Sequence, residues 1–343
     1  MPEGGIPRPV NYNLLSVDQP QEVLNTLIAL KVCSADENIT SIAIAGDGNM
    51  NLALRVTTDQ RSVIVKQSRP WVEKYPGIAA PEERILSEIN FYRHVLNSSD
   101  VRAAMPSVLA ANPALRIMVL EDLGMASDYA SLYRSDVGSA EVDDVFEQAI
   151  GWVTLLHDCP IDPIKSVGCK PLRELNHQHL FAIPLFDPPA TELDSICEGL
   201  TAVSRDLCAD TQVKQAMASL GEIYLKDGGG KLLHGDYYPG SWLKTESGFR
   251  VIDPEFCFAG PQEFDLGVLA AHWIFCGGKA DATTLDRVCQ ATAGEVSPKL
   301  VKGFAGAELV RRLIGVAQLP LDANLDRRTE WLNCGNNFLQ QSI

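Results

Sequence analysis

The chain has 343 residues, of which 46% are apolar and 21% are charged, a balance that is typical of a folded protein with a large core. Its 29 Lys and Arg against 44 Asp and Glu leave a net charge of −15. Because this charge repels nucleic-acid phosphates and anionic lipid, we expect no nucleic-acid partner and no membrane partner. The 9 Cys include no C-x-x-C pair, and the first residues lack the pattern of a secretory signal, so the sequence predicts a reduced, cytoplasmic protein.

The amino-terminal part predicts one helix followed by antiparallel strands. The helix is predicted over residues 21–32, with Ser16 or Asp18 as its cap. Apolar alternation and β-branched runs predict strands at 39–45, 51–57, 62–67, 108–111 and 116–120. The segment around Trp71 and Pro76 is predicted to be a loop, and Pro81 favours the start of a helix.

The spacing of apolar residues changes to helical periodicity near residue 126. Helices are predicted at 142–157, 261–275, 282–292 and from 326, and short strands at 231–233 and 250–252. We therefore predict an α+β protein with two lobes. Residues 1–124 would form a small lobe of mainly antiparallel strands with one key helix, and residues 125–343 a larger, mainly helical lobe.

Two acidic motifs follow apolar strands in the second lobe. His234-Gly235-Asp236 is the first, and Asp253-Pro254-Glu255 begins 17 residues after Asp236. Phosphoryl transfer from ATP to a hydroxyl group needs a carboxylate that orients the hydroxyl and a cation at the phosphates. Asp236 is predicted as that base or orienting group, Asp253 as a ligand of Mg²⁺, and Glu255 as a support for the metal or the substrate. The alternative is a turn between two strands that carries surface acids.

Lys66 closes an apolar strand, from which a lysine can reach the α- and β-phosphates of a nucleotide if a helix carboxylate pairs with it. Glu88 is the predicted partner, with Glu82 and Glu83 as alternatives. The glycine-containing turn at 46–49 could let backbone N–H groups approach the phosphates. A surface lysine and an ordinary hairpin turn are the alternatives for these two features.

Together these motifs resemble the aminoglycoside phosphotransferase and choline kinase superfamily, whose members are relatives of the protein kinases, and the resemblance covers most of the chain. It implies a protein-kinase-like bilobal fold. Within the superfamily, the chain is similar to the methylthioribose kinases at residues 46–52, Lys66-Gln67, Glu121-Asp122-Leu123, Gly240-Ser241 and 251–256. Ser241 stands where most relatives have asparagine, and Gln318 stands where the methylthioribose kinases have histidine.

The resemblance also implies roles for individual residues. It implies contacts with ATP at Asn49, Lys66 with its partner Glu88, Leu120, Glu121, Asp122, Asp253 and Glu255, and a metal site at Asp253, Glu255 and Ser241. Asp236 would contact the hydroxyl of the substrate. Arg311 and Arg312 resemble the late arginine pair of the methylthioribose kinases, and a planar guanidinium can donate to two adjacent sugar hydroxyls. The alternative for this pair is a helix C-terminal or a surface arginine pair.

Two other polar residues are predicted to be structural. His157 ends an apolar helix and is interpreted as a core or capping histidine. Asp265 is predicted to accept hydrogen bonds from the backbone of the loop that carries Asp236, because a buried acid is costly unless it is paired.

The sequence therefore predicts an ATP-dependent kinase that uses Mg²⁺ and transfers the γ-phosphoryl group to a sugar-like hydroxyl, with 5-methylthioribose or a related sugar as the small-molecule acceptor. An aminoglycoside-type phosphotransferase is one alternative, since an acidic protein suits a polycationic acceptor. A catalytically silent nucleotide-binding protein is another. A homodimer is left open.

Overall fold

The computed structural model describes residues 10–46, 50–161, 167–227, 230–279, 282–292 and 296–342, with the backbone alone for Ala282. Its strands are β1 (Ile39–Ile44), β2 (Leu52–Thr58), β3 (Ser62–Gln67), β4 (Trp71–Val72), β5 (Tyr75–Ala79), β6 (Val108–Asn112), β7 (Ile117–Glu121), β8 (Ser127–Asp128), β9 (Lys231–Leu233), β10 (Trp242–Thr245), β11 (Gly248–Val251) and β12 (Phe258–Gly260). Its helices are α1 (Pro20–Ala29), α2 (Arg84–His94), α3 (Ser99–Ala103), α4 (Ser139–His157), α5 (Lys170–His177), α6 (Leu193–Ile196), α7 (Leu200–Ala209), α8 (Thr211–Leu225), α9 (Glu263–Phe275), α10 (Ala282–Gln290), α11 (Pro298–Ile314) and α12 (Leu325–Gln340). The predicted mixture of an amino-terminal antiparallel sheet and a helical remainder is confirmed.

The amino-terminal sheet has five antiparallel strands in the order β1-β2-β3-β7-β6. Successive side chains of a strand point to opposite faces of a sheet. On β3, Val63 and Val65 belong to the apolar cluster that includes α1, whereas Ile64 packs on the other face against the cluster that includes α2. Lys66 follows the alternation of Ile64, so its side chain points toward α2.

The predicted cap of the first helix is wrong. Helix α1 begins at Pro20 after Gln19, and no side chain caps it. The Ser16 hydroxyl instead accepts a hydrogen bond from the backbone N–H of Asp18 at 3.2 Å, which closes a local turn before the helix. Proline suits the first helical turn because it has no N–H to satisfy there. The second helix likewise begins at Arg84, three residues after the predicted start at Pro81.

The loop predicted around Trp71 and Pro76 is a small hairpin of β4 and β5, in which Trp71 pairs with Ala79 and Val72 with Tyr75. All five residues of β5 are exposed. A proline is tolerated in such an edge strand because its missing N–H is not needed for a ladder. Pro76 therefore did not mark a loop, and the prediction for this segment is wrong.

Two apolar clusters form the core. The smaller one lies between α1 and one face of the five-stranded sheet, and it includes Leu27, Leu54 and Val119. The larger one unites the helical part of the chain with α2, whose Ile89 and Phe91 belong to it. Helix α2 therefore shares its core with the helices that follow it, although its sequence lies within the amino-terminal lobe.

Helices α9 and α11 are the central pair of the helical part. All thirteen residues of α9 are buried. A Cβ added at Gly267 of α9 would lie 2.6 Å from Cβ of Phe304 and 2.9 Å from the backbone nitrogen of Ala305, so only glycine allows the two helices to approach this closely. No helix within the described ranges combines the length and the apolar character that a bilayer span requires.

Candidate active site

The loop that carries Asp236 is attached to the buried carboxylate of Asp265. The backbone N–H groups of His234 and Gly235 donate to Asp265 at 2.8 Å and 3.0 Å, and Nε2 of His157 lies 3.1 Å from the same carboxylate. The predicted role of Asp265 and the core position of His157 are thus confirmed. Gly235 has a φ of 86°, and an added Cβ would collide with the carbonyl oxygen of Phe256, so this turn requires glycine.

Backbone and side-chain hydrogen bonds join the Asp236 loop to the strand that leads into Asp253. The carbonyl oxygen of Ile252 accepts from Nε2 of His234 at 3.0 Å, and the backbone N–H of Ile252 donates to the carbonyl of Ser241 at 2.9 Å. The Ser241 hydroxyl donates to the carbonyl of Asp236 at 2.9 Å. Burial lowers the pKa of His234, so a neutral ring that donates from Nε2 agrees with these contacts.

Lys66 lies between one carboxylate from α2 and one from the second acidic motif. Its Nζ is 2.7 Å from Glu88 and also contacts Asp253. Burial would lower the pKa of Lys66, but the charges of Asp253 and Glu88 outweigh burial and raise it, so the ammonium stays charged. Of the three acids considered from sequence, the structure brings Glu88 to Lys66. The Asp253 side chain remains 43% exposed and its backbone is in the left-handed region at a φ of 62°.

Glu255 is buried and is bound by residues from the amino-terminal part. Nδ2 of Asn51 donates to its Oε2 at 2.8 Å, and Nε of Arg84 lies 3.8 Å from the same oxygen. Burial raises the pKa of Glu255 to about 7. Both of these contacts go to Oε2, so that among the described residues Oε1 is the oxygen that could face a cation.

Arg84 is fully buried and donates to five acceptors. These are Oδ1 of Asn51 and the carbonyl oxygens of Met50, Arg69, Trp71 and Pro81. The side chain therefore connects Met50, the β4–β5 hairpin and the start of α2, as well as Glu255. No spacing in the sequence indicates this role, because Arg84 is one of several charged residues at a helix start, next to Glu82 and Glu83.

Replacing Arg84 with Met is expected to lower the free energy of unfolding by about 3–5 kcal/mol, because the buried carbonyls and Glu255 lose their partner. Urea denaturation followed by circular dichroism measures this loss. Arg134→Met is the matched control: Arg134 pairs with Asp136 on an exposed surface, so its removal is expected to leave the unfolding midpoint unchanged. Equal midpoints for the two variants would contradict the importance of the Arg84 contacts.

Arg311 and Arg312 both reach Asp236. The distances from Oδ1 of Asp236 are 3.6 Å to Arg311 and 3.2 Å to Arg312. Both arginines are buried, so the surface alternative is wrong for this pair. Nε of Arg311 is buried and has no hydrogen-bond partner within the described part of the chain. The guanidinium of Arg312 lies 4.6 Å from the ring centroid of Tyr238.

The segment predicted to contact ATP at Leu120, Glu121 and Asp122 lies at the end of β7 and leads into the helical part. Leu120 is buried, and the backbone N–H of Glu121 donates to the carbonyl of Ser107 at 2.9 Å. The Asp122 carboxylate accepts a hydrogen bond from the Ser62 hydroxyl at 2.6 Å and forms an ion pair with Arg55 at 2.9 Å. Asp122 would thus contact a nucleotide through its backbone. Asn49 lies outside the described residues.

The acids at this site are oxygen ligands that suit Mg²⁺. In the ranges that the structure describes, no three His, Cys, Asp or Glu side chains converge into a complete metal cage. Mg²⁺ commonly binds through one or two carboxylates together with substrate phosphates and water. The partly exposed Asp253 and the second oxygen of Glu255 fit such a site.

The sequence matches one protein-family model, which is described as the phosphotransferase enzyme family, over residues 41–298. The chain belongs to this family. The match spans both acidic motifs, Lys66 and Glu88, so the predicted phosphotransferase is confirmed. Arg311 and Arg312 lie beyond the matched residues.

Curated relatives of this phosphotransferase include several methylthioribose kinases. The one from Exiguobacterium sibiricum is 26% identical, and the match covers 90% of this chain and 87% of the relative. The one from Bacillus pumilus is 25% identical, and the match covers 92% of this chain and 90% of the relative. The one from Pectobacterium atrosepticum is 27% identical, and the match covers 83% of this chain and 82% of the relative.

Solved structures share the fold of this phosphotransferase. The structure of LicA in complex with AMP has a TM-score of 0.51 at 13% identity and covers 93% of this chain and 99% of that one. A choline/ethanolamine kinase family protein from Mesorhizobium loti has a TM-score of 0.51 at 15% identity, and the match covers 93% of this chain and 94% of that one. The predicted protein-kinase-like fold is thereby confirmed.

Proposed function

We propose that this phosphotransferase transfers the γ-phosphoryl group of ATP to a hydroxyl group of 5-methylthioribose or a closely related sugar. The observation that carries the proposal is the position of Lys66, whose ammonium contacts both Glu88 of α2 and Asp253 of the second acidic motif. The ammonium of Lys66, together with a Mg²⁺ ion that Asp253 could hold beside it, would supply the charge neutralisation that phosphoryl transfer requires.

We assign the nucleotide to the cleft on the α2 side of the five-stranded sheet. Lys66, positioned by Glu88, would bind its phosphates, and the backbone at Leu120, Glu121 and Asp122 would bind its base. Asn49 is proposed to approach the phosphates. Mg²⁺ bound at Asp253 and Glu255 would neutralise charge on the β- and γ-phosphates, and the hydroxyl of Ser241 is a further candidate ligand.

Asp236 is the proposed orienting group for the acceptor hydroxyl. Both arginines contact its Oδ1, which leaves Oδ2 to accept a hydrogen bond from the attacking hydroxyl. Arg311 and Arg312 are the proposed donors to neighbouring sugar hydroxyls. The match with two methylthioribose kinases, which covers 87% and 90% of their length, supports a sugar of that kind.

A comparison of acceptors with ATP and Mg²⁺ tests the proposal. The kcat/KM for methylthioribose is expected to exceed that for every member of an aminoglycoside panel by at least about 10²-fold, because a site that hydrogen-bonds substrate hydroxyls discriminates strongly. Release of ADP measures turnover. Faster turnover of an aminoglycoside would reject the proposed acceptor, and no ADP release with any acceptor would reject the kinase assignment.

A further inference from the structure

The arginine pair is part of a closed ionic ring that includes a second, fully buried carboxylate. Glu308 lies on α11 one turn before the arginines. Its Oε2 accepts from Arg311 at 3.1 Å, and its Oε1 accepts from Nε of Arg312 at 2.6 Å. Each arginine therefore contacts Glu308 at one end and Asp236 at the other.

This ring balances its own charge. Two guanidinium groups face two carboxylates, and buried charges of this kind are stable only when they are paired and hydrogen-bonded. Burial would raise the pKa of Glu308, but the charges of Arg311 and Arg312 outweigh it and hold the pKa well below its ordinary value. Glu308 is therefore ionised at neutral pH.

A second pair of residues holds the Glu308 carboxylate in this orientation. Nε2 of His272 lies 3.0 Å from Oε1 of Glu308, and the hydroxyl of Tyr133 lies 2.6 Å from Nδ1 of His272. An ionised carboxylate only accepts, so His272 carries its proton on Nε2, and Tyr133 donates to Nδ1. Burial lowers the pKa of His272 to about 4. The imidazole of His272 is thus neutral and adds no charge to the network.

The elements that carry these residues are packed tightly together. Glu308 and the arginines lie on α11, His272 lies on α9, and Gly267 keeps these two helices in close contact. A donor held by several hydrogen bonds on rigid helices keeps its direction better than a free side chain does.

We infer that Glu308 is a positioning residue that aims Arg311 and Arg312 at Asp236 and the acceptor, and that His272 and Tyr133 keep Glu308 in place. This inference rests on the proposed function. Without the negative charge of Glu308, both guanidinium groups keep only Asp236 as a paired carboxylate within the described residues. They would draw its carboxylate away from the orientation that the attacking hydroxyl needs.

Glu308→Gln, which keeps the size of the side chain and removes its charge, tests the inference. We expect kcat/KM for the acceptor to fall by about 10²-fold, the loss typical of a reacting group displaced by about 1 Å, whereas the Kd for ATP stays close to the wild-type value. Glu330→Gln is the matched control, because Glu330 lies exposed on α12 and pairs only with Arg327 among the described residues. Transfer to water, measured as ADP release without acceptor, is expected to fall as well.

A merely structural role gives a different result. If Glu308 only stabilises the fold, Glu308→Gln lowers the melting temperature but leaves kcat/KM per folded molecule unchanged, and the inference is overturned. Tyr133→Phe decides the matter if Glu308→Gln does not fold. It removes one hydroxyl and is expected to lower acceptor kcat/KM several-fold with unchanged ATP binding, while no loss would overturn the inference.

Failure of the proposed function is recognised separately. If the wild-type enzyme phosphorylates no sugar, the acceptor assignment fails. Glu308 is then judged by the rate of transfer to water, for which the wild-type enzyme is compared with Glu308→Gln. An equal rate in both overturns the positioning role, and a lower rate in the variant supports it.

Discussion

Replacing Asp236 with Asn is expected to lower kcat by about 10³-fold, within the range that a positioned general base contributes. The amide keeps an oxygen that can accept from Arg311 and Arg312, so the ionic ring loses charge but not shape. Since the proposed nucleotide contacts lie elsewhere, at Lys66 and β7, the Kd for ATP is expected to stay close to the wild-type value. Steady-state kinetics and calorimetric titration with ATP measure the two quantities.

The control for this substitution is Asp326→Asn, which removes a carboxylate from the exposed first turn of α12. It is expected to keep the wild-type kcat. A variant at Asp236 that retained most of its turnover would show that the hydroxyl is oriented by another group. A large loss of ATP affinity in the same variant would place Asp236 among the nucleotide contacts instead.

Replacing Lys66 with Met is expected to reduce both stability and turnover. Glu88 is buried, and without Lys66 it becomes a buried charge without its counter-charge, which costs about 3–5 kcal/mol of the free energy of unfolding. Turnover is expected to fall by about 10²-fold, the loss typical of one missing charge-stabilising donor. The KM for ATP is expected to rise, because the phosphates lose a cation.

A double variant separates the two effects. Lys66→Met with Glu88→Leu replaces a buried ion pair by apolar side chains of similar size, an exchange that is often neutral or stabilising. Asp253 remains partly exposed and can be hydrated once Lys66 is gone. The double variant is therefore expected to recover the unfolding free energy but not the kcat. Recovery of kcat as well would mean that the lysine serves stability alone.

The sequence predicted the parts of the site that follow directly from strand periodicity. Asp236 and Asp253 come just after apolar strands, and hydrogen bonds between the segments that follow these strands bring the two motifs together. Lys66 could be paired with an acid of the next helix because it shares a face with Ile64. Gly235 and Asp265 belong to the same local pattern, in which a tight turn needs a glycine and a buried carboxylate needs backbone donors.

Other parts of the site depend on contacts between distant segments, which no local period records. Arg84 and Asn51 reach Glu255 only after the sheet and the helical part have come together. Glu308 also lies outside the predicted site, because its partner His272 is on another helix. Most of α11 is buried on all sides, so its apolar residues show no single stripe that would have predicted it.

The errors in the predicted fold have local causes. At α1, the short side chain of Ser16 closes a turn of its own and leaves the helix to begin with Pro20. At β5, the edge position removes the reason for which proline usually excludes a strand. Serine can cap a helix or close a turn, and proline can interrupt a strand or lie in an edge strand. In both places the prediction chose the wrong one of the two.

The division of the apolar core bears on whether the two predicted lobes are separable. Helix α2 lies within residues 1–124, yet Ile89 and Phe91 are packed in the cluster of the helical part. A fragment cut after residue 124 would carry this helix with its apolar face exposed to water, and the remaining fragment would contain the matching cavity. The candidate active site takes residues from both predicted lobes, but the core is not divided between them. The enzyme therefore cannot be rebuilt by exchanging its amino-terminal lobe as a self-contained module, and α2 would have to be exchanged together with the helices that cover it.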